Sequence, residues 1–174
     1  MQHSIKSSKR YKSKIALVTL AIALLSVFGF SSTFAQSPQL TAKPSQLAKV
    51  IQDLQQSNQR WIQIDLPRQR LIAWEGASPV YAVLISTGKS STPTPTGSFS
   101  IQTRHRYARM QGDDYDISDV PYTMYYSGNY AIHGAYWHRR FGTPVSHGCV
   151  NVAVNHARWL FYWARIGTPV VVHK

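Results

Sequence analysis

From Trp61 onward, apolar residues recur at every second position in short runs bounded by turn residues, a period that fits strands and not helices. Ile62, Ile64 and Leu66 alternate with Gln63 and Asp65, the pattern of a strand with one buried face. Pro67-Arg68-Gln69-Arg70 reads as a turn, and Leu71-Ile72-Ala73-Trp74 as the returning strand. Glu75-Gly76-Ala77-Ser78 breaks the chain again. Val80 to Ile85 is almost wholly apolar, which predicts a buried strand. A Ser/Thr/Pro loop covers Ser90 to Gly97. Further strands are expected over Ser98–Thr103, Val120–Tyr126, Tyr130–His133 and Val170–Val172. The sum is a mostly β domain of two packed sheets with one or two helices.

The helices have their own signals. Leu47, Val50, Ile51 and Leu54 recur at helical spacing, with Pro44 near the start, where proline is tolerated. Asn151 is positioned to cap a second helix over Val152 to Ile166, with Gly167 as its stop. Residues 104–119 carry Arg104, Arg106 and Arg109, then Asp113, Asp114, Asp116 and Asp119. Their spacing does not match a calcium loop. They read as a solvated loop, or as a flap over a site.

The N-terminus is of another kind. Lys6, Lys9, Arg10, Lys12 and Lys14 precede an apolar run from Ile15 to Phe30, and small residues lead to Thr33-Phe34-Ala35. This is the layout of a secretory signal peptide cleaved after Ala35, with an uncleaved membrane anchor as the alternative. The expected organisation is a signal peptide over 1–35, a linker and short helix over 36–60, and one folded domain over 61–174. The whole chain of 174 residues has a net charge of +12. Five of its 19 basic residues lie in the signal and all seven acidic residues follow it, leaving +7 after cleavage. A basic exported protein suits an anionic wall or membrane surface. Export argues against a nucleic-acid partner.

Cys149 is the one cysteine, so no internal disulfide can form. A lone thiol kept in an oxidising compartment is either a small buried hydrophobe or a reactive group. Its neighbours favour reactivity. A thiol attacks as thiolate, which a nearby imidazole and a helix N-terminus can generate and stabilise. His147 is too close along the chain for good base geometry. His133 ends a strand from which the following loop can fold back to Cys149, so His133 is assigned as base. The backbone N–H groups of Gly148 and Cys149 are the expected oxyanion hole, each such donor typically lowering a barrier by about 3 kcal/mol. With no acidic residue near His133, the Gly134 carbonyl is the candidate to orient its ring.

Ile132-His133-Gly134 followed by Ser146-His147-Gly148-Cys149-Val150-Asn151 resembles the signature of the L,D-transpeptidase catalytic domain. Thr94-Pro95-Thr96-Gly97-Ser98-Phe99 and the Ile64-Asp65-Leu66 strand are similar to that family too, and the likeness runs from about Trp61 to His173. The resemblance implies a β-sandwich-like catalytic fold and acyl transfer through a Cys149 thioester. Terminal D-Ala would leave a peptidoglycan stem tetrapeptide, and the amine of a second stem would resolve the thioester into a 3→3 cross-link. A wall-attached protein or water can take the acceptor's place in that family. No metal or cofactor is implied; susceptibility to carbapenems is.

Around this centre, Ser146 and Asn151 are expected as supports, and His147 as a shaper of the loop or pocket. Tyr122, Tyr125 and Trp137 are expected as core or groove walls. His138 would hold the loop or touch substrate. Arg139 and Arg140 are either solvated or contacts for stem carboxylates. Other classes stay open. His133, His138, His147 and Cys149 could form a zinc site, although the short paired-ligand spacing is missing. The domain could bind wall without turnover, or hydrolyse stems as an L,D-carboxypeptidase. A papain-like protease would require cleavage of all-L peptides.

Overall fold

The computed structural model describes residues 44–174. The expected signal peptide lies outside them, as do residues 36–43 of the linker. No described helix is long and apolar enough to cross a membrane.

The chain forms α1 (Pro44–Gln55), β1 (Arg60–Asp65), β2 (Arg70–Glu75), β3 (Ser78–Ser86), β4 (Gly97–Ser100), β5 (Thr103–Gly112), β6 (Tyr115–Ser127), β7 (Tyr130–Gly134), β8 (Val150–Val152), α2 (Val154–Trp163) and β9 (Pro169–His173). The expected two sheets are one sheet of nine strands, in the order β4-β9-β1-β2-β3-β8-β7-β6-β5. Its two outermost strands, β4 and β5, are consecutive in the chain and separated only by Ile101 and Gln102. So short a link forces the sheet to curl until its edges approach. Phe99 of β4 meets Tyr126 of β6 with ring centroids 5.4 Å apart, and the Gln102 N–H donates to the Tyr125 carbonyl at 2.8 Å.

The core fills the inside of this curl. Ile62, Ile64 and Leu71 from one half meet Met124, Tyr126 and Ile132 from the other, with Leu160 of α2 among them. Burying each large aliphatic or aromatic side chain contributes about 1.5–3 kcal/mol. A one-residue slip would expose a whole strand's set, so the register is strongly specified. The N-terminal helix is where the helical spacing places it. Its Leu47, Val50, Ile51 and Leu54 pack around Trp61 and Val171. Trp61 stacks on Trp74 and donates its indole N–H to the Gly76 carbonyl at 2.9 Å.

Three local expectations are corrected. Val80–Ile85 is not buried on both faces: Val83 and Ile85 are inside, but Leu84 is 56 % exposed. Its apolar run reflects an apolar outer surface, not a covered one. Residues 104–119 are no irregular loop. They belong to the β5–β6 hairpin, which turns at Asp113–Asp114. Its charges pair across the strands, with the Arg109 guanidinium on both Asp116 carboxylate oxygens at 2.8 and 2.5 Å. Finally, Asn151 does not cap the second helix. Residues 150–152 form β8, because Val150 and Val152 fill the core while the strand pairs with both β3 and β7. The helix starts two residues later than expected and ends at Trp163, with Ala153 as a cap that makes no side-chain bond.

Candidate active site

Strands β7 and β8 run parallel, with His133 opposite Asn151 and Ile132 opposite Val150. Side chains alternate along a strand. Ile132, Val150 and Val152 therefore enter the core, while His133, Cys149 and Asn151 line one cavity of about 220 Å³. The pairing of these strands is what brings together two residues 16 positions apart in sequence.

His133 is 2 % exposed. Its Nδ1 lies 3.1 Å from the Gly134 carbonyl oxygen. A carbonyl only accepts, so Nδ1 carries the proton and Nε2 is left as the basic nitrogen. Burial pushes the pKa down to about 4, against an upward pull from the Gly134 bond and a further downward push from His138. The ring is neutral at neutral pH and lies against the Trp137 indole, centroids 5.8 Å apart.

Cys149 is half-buried, and its Sγ sits 3.6 Å from the Asn129 carbonyl oxygen. Burial pushes the thiol pKa up, and the Ala131 backbone N–H opposes this by bonding the sulfur. The cavity thus holds at rest a protonated thiol and a neutral imidazole. The helix N-terminus expected just beyond the thiol is absent from that place, since β8 intervenes.

The turn that presents Cys149 is held from both sides. Ser146 Oγ donates to the Cys149 carbonyl at 2.6 Å and accepts from the Gly148 N–H at 3.1 Å. Of the two expected oxyanion donors, the Gly148 N–H is therefore occupied within the turn. Gly148 has φ +115°, and a Cβ there would lie 2.6 Å from Tyr130 Cε1. From the outside, Thr94 Oγ1 donates to the Gly148 carbonyl at 2.8 Å and accepts from the Gly88 N–H at 2.9 Å. Thr92 Oγ1 and the Lys89 N–H both donate to the Ser146 carbonyl, each at 3.0 Å. A Cβ on Gly88 would approach the Gly148 Cα to 2.9 Å, so the clamp needs glycine there.

The other expected residues separate into those at the cavity and those away from it. Trp137, His138, Ser146, His147 and Asn151 line it. Instead of capping a helix, the Asn151 side-chain amide meets His138 Nε2 at 2.9 Å, and the Arg140 N–H donates to His138 Nδ1 at 3.1 Å. His147 Nε2 lies 3.0 Å from Asp114 Oδ2 and its ring stacks on Tyr115. Both partners belong to the β5–β6 hairpin tip, which therefore closes one side of the cavity. Tyr122 is not in the lining: it packs on Phe161 and Tyr162 of α2. Arg139 is not in the lining either, whereas Arg140 is. Among the described residues no three of His, Cys, Asp and Glu converge on a point where a metal ion could sit, and both nitrogens of His138 are engaged by Arg140 and Asn151.

The sequence reading missed Met110, Tyr115, Ile117 and Val145, which also line the cavity, and gave Thr92 and Thr94 no role. The hairpin residues had a signal: Ala108 and Met110 flank Arg109, and Tyr115 and Ile117 flank Asp116, an apolar-charged alternation of period two. The threonine clamp pairs residues 54 positions apart, which no local pattern reveals.

The L,D-transpeptidase catalytic-domain family model matches residues 59–172. The chain is 35% identical over 100 residues to L,D-transpeptidase 1 of Mycobacterium tuberculosis, a match that covers 50% of this chain and 39% of that protein. It is 23% identical over 130 residues to the putative L,D-transpeptidase YciB of Bacillus subtilis, covering 64% of each. The chain thus spans less than two thirds of the length of these curated relatives. Among solved structures, the catalytic domain of the Enterococcus faecium L,D-transpeptidase superimposes with a TM-score of 0.61 at 30% identity, over 67% of this chain and 98% of that one. The Ldtfm–avibactam carbamoyl enzyme matches with a TM-score of 0.63 at 28% identity, over 68% of this chain and 50% of that one. A parallel strand pair that sets a buried histidine and a clamped cysteine in one cavity is thus carried on a curled sheet shared with these enzymes, and the chain belongs to the L,D-transpeptidase catalytic-domain family.

Proposed function

We propose that this protein is a cysteine acyltransferase acting on peptidoglycan stem peptides, outside the cytoplasm, in the periplasm or cell wall. The observation that carries the reading is one cavity holding both Cys149 and His133, with Nε2 of His133 left as an acceptor by the bond from Nδ1 to Gly134. Cys149 is the nucleophile, His133 the base and the Gly134 carbonyl the orienting group. Because both groups rest neutral, proton transfer from Sγ to Nε2 accompanies attack instead of preceding it.

The thiol sulfur adds to the carbonyl before the terminal D-Ala of a stem tetrapeptide. The oxyanion forms against the Cys149 N–H, and the Gly148 N–H joins it only if Ser146 releases it. The imidazolium then returns its proton to the departing D-Ala amine, and a thioester remains on Cys149. The amine of a second stem attacks the thioester, giving a 3→3 cross-link and regenerating the thiol. A wall-attached protein amine is an equivalent acceptor. Water in that position would make the enzyme an L,D-carboxypeptidase. No step calls for a metal or cofactor.

Incubating the full chain with a soluble stem tetrapeptide, with and without an amine acceptor, tests this by mass spectrometry. The expected products are free D-Ala and a cross-linked dimer, both lost in Cys149→Ala. D-Ala release without a dimer would assign the hydrolytic reaction. Binding to wall without D-Ala release would reduce the domain to a binding module.

A further inference from the structure

The cavity that holds Cys149 has one residue of fixed charge in its lining, Arg140. Apolar, aromatic, hydroxyl, amide, thiol and imidazole groups make up the rest, and no carboxylate lines it. The Arg140 main chain is held at both ends. Its N–H donates to His138 Nδ1 at 3.1 Å, and its carbonyl accepts from Ser86 Oγ at 2.7 Å and from the Thr143 N–H at 3.3 Å. Ser86 is fully buried at the end of β3, so Arg140 is built from a fixed platform.

The position of the charge is visible in its neighbour. After burial, the positive charge of Arg140 is what holds the His138 pKa down, and His138 in turn contacts Asn151, the residue opposite His133. Three of the other described arginines have acidic partners, Arg60 with Glu75, Arg68 with Asp65 and Arg109 with Asp116. Arg140 has no carboxylate partner among the described residues. An exposed arginine without a counter-charge, in the lining of a cavity that no carboxylate lines, is matched to a planar anion that arrives with the ligand.

We infer that Arg140 is a specificity-determining residue that binds a carboxylate of the acyl donor and so places the donor carbonyl over Cys149. The inference rests on the proposed function. A stem tetrapeptide offers this chemistry at its C-terminal carboxylate and at any carboxylate of its diamino acid. Both would be bound in the ground state and in the transition state, so the contribution falls mainly on KM.

The test uses the full chain as wild type and as Arg140→Ala, Arg140→Gln, Arg140→Lys and Arg158→Ala. Arg158 is an exposed arginine lining a separate groove on α2, and it controls for loss of bulk charge. Release of the terminal residue is followed with three soluble tetrapeptides: unmodified, amidated at the C-terminus, and amidated on the diamino acid. Arg140→Ala and Arg140→Gln are expected to raise KM about 10- to 100-fold on the unmodified donor, with kcat changed far less. Arg140→Lys recovers part of the loss, and Arg158→Ala behaves as wild type. Whichever amidation raises the wild-type KM by the same factor, and leaves Arg140→Ala no further penalty, identifies the carboxylate. Alkylation of Cys149 by neutral iodoacetamide proceeds at the wild-type rate in the Arg140→Gln variant, which separates recognition from folding. A KM within twofold of wild type, or a penalty undiminished on both amidated donors, overturns the inference while leaving the functional reading intact. If the wild type releases nothing from any stem peptide, the functional reading fails and the inference fails with it.

Discussion

Nδ1 of His133 lies 3.1 Å from the carbonyl oxygen of Gly134, the next residue in its own chain. A neutral main-chain acceptor fixes the tautomer without the charge that a carboxylate would bring. His133→Ala should therefore lower turnover about 10²- to 10⁴-fold, the usual worth of a positioned base. Carbapenem acylation of Cys149, followed by intact mass, should slow by a similar factor.

The buried neutral ring also sets a pH dependence of stability. In the unfolded chain a histidine takes up its proton near pH 6.5, but in the fold His133 does so only near 4. Between these values the unfolded state binds more protons, so stability falls as pH falls. The contribution is complete above about pH 6.5 and lost by about pH 4, a difference on the order of 3 kcal/mol. Denaturant unfolding at pH 7 and at pH 4.5 should show the drop, and His133→Gln should remove most of that slope.

Ser146 holds both ends of the cysteine turn, bonding the Cys149 carbonyl and the Gly148 N–H. Ser146→Ala leaves these groups without that partner in a largely buried turn, and should cost about 1–3 kcal/mol. Thermal unfolding reads the loss. Turnover should fall as well, since the same hydroxyl sets the pose of the nucleophile.

Gly148 adopts φ +115° with Tyr130 against the place of a Cβ. Gly148→Ala combines a disfavoured backbone conformation with a contact at 2.6 Å. The expected destabilisation is at least about 2 kcal/mol, measured by denaturant midpoint. Tyr130→Leu in the same chain should restore only the steric part.

Much of this could be read in the chain before folding, and the failures have physical causes. Period two located β1 and β2, and β9 was legible as the apolar run Val170–Val172, which is buried on both faces, Val170 and Val172 in the main core and Val171 under α1. The same rule misread Val80–Ile85, where the outward positions are apolar too. The hairpin of 104–119 was obscured by charge, since Arg109 and Asp116 attract attention as a solvated pair when they are a cross-strand one. That His133 and Cys149 share one cavity is in line with the motif. The place of Asn151 was not legible: its residue type suggests a cap, but Val150 and Val152 draw the segment into the sheet and turn its side chain to His138. Long-range partners such as Thr94 and Gly148 carry no local signature at all.

The proposed acyl transfer requires Cys149 to be an acylatable thiol. Intact-protein mass after incubation with a carbapenem, beside a Cys149→Ala control, tests it most directly. One covalent adduct is expected on the wild type and none on the control. A folded wild-type protein with a reduced thiol and no adduct would contradict it.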